Sequence, residues 1–138
     1  MSQKEERKKV VRYWWAKAEE SLASAQREFD AGAYPFAVNR LYYAAFYGVS
    51  AALLERELSF VKHSGVRAAF HREFIKTGLL EVQWGKLYDQ LFADREEGDY
   101  TALITFDHEY IASQLPRCMQ FLKVLRSLIS SLNITAME

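Results

Sequence analysis

Apolar residues recur along almost the whole chain at alternating steps of four and three, the period of an amphipathic helix. Val11, Trp15, Ala18, Leu22, Ala25 and Phe29 form the first such stripe. The segment "DAGAYP" at 30–35 interrupts it, with Gly32 suited to end one helix and Pro35 to sit in the first turn of the next. A second helix is predicted from about Tyr34 to Leu58, and its segment "PFAVNRLYYAAFYGVSAALLERE" is apolar around most of its circumference. Such a helix belongs at the centre of a fold. Ala44, Ala45, Gly48, Ala51 and Ala52 give it a flank of small residues that another helix can approach closely.

"SFVKHSG" (59–65) reads as a connection, with Ser64 or a neighbour capping a third helix over 65–77. Val66, Ala69, Phe70 and Phe74 face inward there, and Gly78 ends it. A fourth helix is predicted from Val82 to Glu97, with Trp84, Leu87, Tyr88, Leu91 and Phe92 on one face and Gly98 as its stop. The fifth runs from about Phe106 to Ser131 on a stripe of Ile111, Leu115, Cys118, Leu122, Leu125, Ile129 and Leu132. Acidic Asp107 and Glu109 suit its N-terminal dipole, and Pro116 predicts a kink because it cannot bond to the carbonyl of Ala112. No segment reads as a strand. The pattern predicts one all-α domain over residues 1–138, an antiparallel up-and-down bundle of four to five helices.

Composition narrows the function more than the fold. Lys plus Arg and Asp plus Glu both number 18, so the net charge is zero, whereas nucleic-acid binders usually carry a basic excess or stripe. The basic run "KEERKKVVR" is interleaved with glutamates and reads as a solvated first helix turn. Neutrality leaves nucleic acid open, since oligomerisation can gather a few arginines in one groove. Cys118 is the only cysteine, which excludes an intrachain disulfide and fits a reducing, cytoplasmic compartment. Met1 is followed by charged residues and no apolar run reaches membrane-spanning length, so a soluble protein is expected, without membrane association. The stripes hold more aromatic and aliphatic side chains than one small bundle needs to bury, and this predicts a homodimer.

The polar residues that break the pattern are few. His63, His71 and His108 lack the i, i+4 spacing of a helical metal site, so neither a metal nor another cofactor is expected. No G-x-S-x-G elbow, phosphate-binding glycine loop or dinucleotide fingerprint occurs. "YWW", "YY" and "FY" fall at helical spacing and read as core or interface. Arg95 is different. It follows Tyr88, Leu91 and Phe92 by seven, four and three residues, so it continues the apolar stripe. Two readings stand: an arginine snorkelling at a helix end, or one aimed into a groove with Asp99 and Tyr100 beside it. Asn39 and Arg40, at the head of the second helix's apolar run, either pair with a nearby glutamate or line the same groove.

The order "NRLYYAAFYGVSAALL", "KHSGVRAAFHREFIKTG", "LFADREEGDY" resembles the HEPN domain family over about Trp14 to Leu128. It is most similar to short stand-alone prokaryotic members often encoded beside a minimal nucleotidyltransferase. The resemblance implies a helical bundle that dimerises, with functional residues in the groove between protomers. In many members an arginine, four to six residues and a histidine, paired across the dimer, form a metal-independent ribonuclease. In toxin–antitoxin members the nucleotidyltransferase partner neutralises the toxin, in some cases by adding AMP to a tyrosine near the motif.

Carried onto this chain, Arg95 matches the arginine, "EEGD" follows, and Tyr100 stands at the histidine position. An imidazole titrates near neutral pH and a phenol near ~10, so the exchange removes the usual proton carrier. A tyrosine there can hydrogen-bond a phosphate, stack on a base or, with a lowered pKa, act as a general acid; the resemblance also makes Tyr100 a candidate AMP acceptor. Asn39 matches a polar position facing the groove, while Arg40, Tyr42 and Tyr43 match an arginine–aromatic run that reads as mainly structural. The resemblance therefore leaves three functions open. One is binding of RNA or nucleotide by Asn39, Arg95, Asp99 and Tyr100 in a toxin–antitoxin-like pair with a nucleotidyltransferase. The second is a metal-independent ribonuclease with Arg95 and Tyr100 as its catalytic residues. The third is a non-enzymatic dimerisation and partner-docking module.

Overall fold

In the computed structural model of the chain, residues 2–100 and 105–133 are described, the side chains of 97–100 excepted. Five α-helices follow one another: α1 (Gln3–Asp30), α2 (Tyr34–Glu55), α3 (His63–Phe70), α4 (Val82–Tyr100) and α5 (His108–Arg126). A π-helical turn, His71–Ile75, continues α3, and a 3-10 turn, Ser130–Leu132, follows α5. Among the described residues there is no strand, and no helix is long and apolar enough to cross a membrane.

Local chemistry sets the ends of α1 and the start of α2. The Ser2 hydroxyl accepts from the Glu5 amide at 3.1 Å and caps α1, with Glu5 and Glu6 in the first turn where the helix dipole favours acid. Gly32, at φ +76°, takes the left-handed turn beyond its end, and Pro35 opens α2. The two long helices thus form a hairpin, and α2 also packs against α3, α4 and α5. A Cβ built on Gly48 would lie 2.8 Å from Leu122 Cδ2 and 3.2 Å from Leu125 Cδ1. That close approach is what the small-residue flank of α2 permits. The stripes of α1 and α5 enclose a core in which Tyr42, Tyr88, Phe70, Phe74 and Phe121 are fully buried.

Several boundaries differ from the sequence expectation, α5 ending at Arg126 instead of near Ser131, and four of them have a local reason. α2 ends at Glu55, three residues before Leu58, because Glu57 turns left-handed (φ 64°) and the Leu58 amide bonds back to the Leu53 carbonyl at 2.9 Å. α3 begins at His63 with no side-chain cap, so Ser64 is not its cap. α4 runs through Gly98 to Tyr100, since glycine inside a helix is a modest cost and not a stop. α5 begins at His108, because the Asp107 carboxylate caps it by accepting from the Tyr110 amide at 2.8 Å. The helix then continues through Pro116, which lies on its exposed side.

Candidate functional site: an arginine on a bed of aromatic rings

α4 carries Arg95 one turn beyond the buried Leu91, onto the face of α2 where Tyr42 and Tyr43 stand. Its guanidinium lies 5.2 Å from the Tyr42 ring centroid and 5.6 Å from that of Tyr43. A half-buried cation over two ring faces gains roughly 1 kcal/mol from the cation–π attraction. The guanidinium lies against these rings and is not fully extended into solvent.

Tyr42 also connects Arg95 to a histidine. Its hydroxyl is 2.7 Å from His63 Nδ1, and the His63 ring stacks on Phe46 at 4.2 Å with an interplanar angle of 16°. Phe46 is one turn after Tyr42 on α2, so two ring contacts from the same face seat the first residue of α3. Burial pushes the Tyr42 phenol up to about 12, so it stays protonated across the physiological range. Burial first, and then the charge of Arg95, hold the His63 imidazole below its ordinary value of 6.5. At neutral pH the site is therefore a permanent cation beside a neutral imidazole.

The remaining expected residues divide. Asn39 lies one turn before Tyr43 on α2, half-buried; its carboxamide oxygen is buried and has no hydrogen-bond partner among the described residues. Asp99 and Tyr100 close α4, and their side chains lie outside the described residues. Arg40 is exposed, 5.7 Å from the Tyr43 ring. His108 packs on Phe29 at 4.7 Å, at the α1–α2 hairpin. Cys118 is fully buried, its thiol 3.7 Å from the Leu41 carbonyl and pushed up to about 12 by burial, which makes it a poor nucleophile. Among the described residues no group of three His, Cys, Asp or Glu could hold a metal ion.

Two further polar clusters flank the arginine. On the adjacent side of α4, Asp94 is only 5 % exposed and accepts from Gln90 Nε2 at 2.8 Å and from the Tyr110 hydroxyl. Gln114 Nε2 donates to Tyr110 at 3.1 Å, and Arg117 donates to the Gln114 carbonyl oxygen at 3.1 Å. Burial, then Asp94, pushes the Tyr110 phenol up to about 12. One turn earlier on α4, Asp89 Oδ1 takes Arg67 Nε and His71 Nε2, both at 2.8 Å. Burial works against the Asp89 charge, but those hydrogen bonds outweigh it and hold the carboxyl below its usual range. Gly85 makes room for this pairing, since a Cβ there would lie 2.9 Å from His71 Cε1.

Reading the sequence missed His63 and the part played by Tyr42. They are 21 positions apart, on different helices, and no periodicity joins them. The only visible signal was a histidine at the start of a helix, "KHSG", with no metal-site spacing to explain it.

Comparison with known proteins agrees with this arrangement of helices. A UPF0332 protein of Thermotoga maritima is 43 % identical over 127 residues, which is 92 % of this chain and 96 % of that one. A Methanocaldococcus jannaschii protein named "Putative toxin MJ0142" is 37 % identical over 118 residues, 86 % of this chain and 80 % of its own. A second protein of that organism, "Putative toxin MJ0605", is 37 % identical over 84 residues, covering 61 % of this chain and 63 % of that one. The family model of the HEPN domain matches residues 11–128, so this five-helix chain belongs to the HEPN domain family.

Proposed function

We propose that the chain is the HEPN half of a toxin–antitoxin-like pair, binding RNA or nucleotide phosphate at Arg95 in a groove completed by a second copy of itself. The observation that carries this reading is the guanidinium seated on Tyr42 and Tyr43 beside a neutral His63. A guanidinium is planar and its N–H fork matches the geometry of a phosphate, and aromatic rings beside it suit a base. Asn39, Asp99 and Tyr100 would complete the ligand-binding set, and a minimal nucleotidyltransferase would be the partner. Two relatives that carry a toxin name favour this class. The test is binding of nucleotides and short RNA to wild type and Arg95→Ala: wild type binds and the variant loses at least ~10-fold. Equal binding by both, or none by either, removes Arg95 from the ligand site. Light scattering that finds a monomer at micromolar concentration removes the two-copy groove. Mass spectrometry after incubation with ATP and a nucleotidyltransferase reads whether Tyr100 takes AMP.

One observation favours catalysis as a second reading. With Tyr100 at the motif's histidine position, His63 puts an imidazole beside Arg95 from elsewhere in the chain. In metal-independent cleavage the RNA 2′-oxygen attacks phosphorus, its proton goes to a base, and the departing 5′-oxygen takes a proton as the P–O bond breaks. His63 and Tyr100 are the candidates for these transfers, with Arg95 on the phosphate. Cleavage in chelator, lost in Arg95→Ala and reduced in His63→Gln or Tyr100→Phe, is the expected result; intact RNA over a wide pH range returns the protein to binding or docking alone.

A further inference from the structure

His63 has a second environment, a recess of about 450 Å3 between α1, α2 and the connection that follows α2. That volume is within the range of small-molecule sites, roughly 300–1,000 Å3. Trp14, Phe46, Tyr47, Phe60 and His63 contribute rings to its walls, and leucine and valine side chains supply most of the rest. The rings are arranged as faces, Trp14 against Tyr47 at 5.5 Å and 22°, and Phe46 against His63 at 4.2 Å and 16°. Apart from His63, the hydroxyls of Ser50 and Ser59 supply polar lining. Trp14, Tyr47 and His63 are all partly open to solvent.

A single ring connects this recess to the arginine. Tyr43 is 5.7 Å from the Tyr47 ring and 5.8 Å from the His63 ring, and the Arg95 guanidinium is 5.6 Å from Tyr43. The aromatic recess and the cation are therefore neighbours along one face of α2. We propose that the recess is a subsite for the heteroaromatic ring of a nucleotide or an RNA base, whose phosphate Arg95 holds across Tyr43. The inference rests on the Arg95 reading above and adds to it the part of the ligand that is recognised. Stacking on aromatic side chains tolerates any base, because every base has a π-face. In the tautomer in which Tyr42 donates to Nδ1, the neutral His63 carries its proton on Nε2, a donor that suits a ring nitrogen or carbonyl oxygen. An apolar protein side chain would use neither that donor nor the guanidinium beyond Tyr43.

Adenosine, uridine, AMP and ribose 5-phosphate separate the two halves of the site. Each is titrated into wild type, Tyr47→Leu, Phe60→Ser and Arg95→Ala, with thermal melts confirming that every variant folds; Phe60, 37 % exposed at the rim, is the substitution least able to disturb the core. Both nucleosides should bind wild type and Arg95→Ala alike and weaken at least ~10-fold in Tyr47→Leu and Phe60→Ser. AMP should bind more tightly than adenosine and fall to the adenosine level in Arg95→Ala. If AMP binding depends on Arg95 but is untouched by the recess variants and the nucleosides do not bind, the subsite is overturned and the phosphate reading stands. Nucleoside binding with no gain from the phosphate overturns the connection to Arg95. If no probe binds and Val61→Asp at the rim turns a dimer into a monomer, the recess belongs to an interface between copies and the inference falls.

Discussion

Asp94 and Arg95 are neighbours in sequence and about 100° apart around α4, and they are put to opposite uses. Asp94 is almost wholly buried, with Gln90 and Tyr110 donating to it, and Gln114 and Arg117 extend that network along α5. It pins α4 to α5, and its partners leave it little capacity for a ligand. Arg95 is half-buried with its flat side against ring faces. Saturated hydrogen bonding makes a polar group structural, whereas a guanidinium on ring faces is held through its flat side. The contrast also suggests a division of labour, in which the Asp94 network fixes the turn of α4 that aims the arginine.

Truncating the carboxylate should have the largest effect. Asp94→Ala leaves the Tyr110 hydroxyl and the Gln90 amide without their shared acceptor in a buried setting, a loss of roughly 2–4 kcal/mol by urea unfolding. A change under about 0.5 kcal/mol would mean the network is not the clamp between α4 and α5. Tyr42→Phe is expected to come next, at about 1 kcal/mol, by removing the hydroxyl that seats His63. Arg95→Ala should cost no more than about 1 kcal/mol of stability, while its effect on nucleotide binding is large. If instead Arg95→Ala unfolds the protein and Asp94→Ala abolishes binding in a stable fold, the assignments of the two neighbours are reversed.

The same contrast explains what could be read from the sequence. The stripe of α5 is legible in Ile111, Leu115, Cys118, Leu122 and Leu125, whose burial follows from one helix's periodicity; Ile129 and Leu132 are buried as well, although they lie beyond the end of the helix at Arg126. Gly48 was legible for a similar reason, as the centre of a run of small residues. Arg95 could be singled out because a charge on an apolar stripe is an inconsistency within one helix. His63, the Asp94 network and the Asp89 cluster were not legible, since each depends on which helix lies opposite. Helix ends were the weakest point. Glu57 adopts a left-handed turn without being a glycine, and Gly98 occurs within a helix it was expected to end.

The smallest effect separates His63 from His71, eight residues later on the same stretch of chain. His71 is hydrogen-bonded to a carboxylate, whereas His63 faces a phenol, a phenyl ring and a guanidinium. Followed by NMR through a pH titration, His63 should protonate below 6.5, the ordinary value from which burial and Arg95 displace it. Because the folded value is depressed, its contribution to stability is complete above the unfolded pKa and is lost as pH falls through the folded one. In Arg95→Ala the His63 midpoint should rise, since the second cause is gone, yet stay under 6.5, since burial is the first. A midpoint that does not move would mean the guanidinium does not act on the imidazole in solution, and would separate Arg95 from His63 as two unrelated features of the same face.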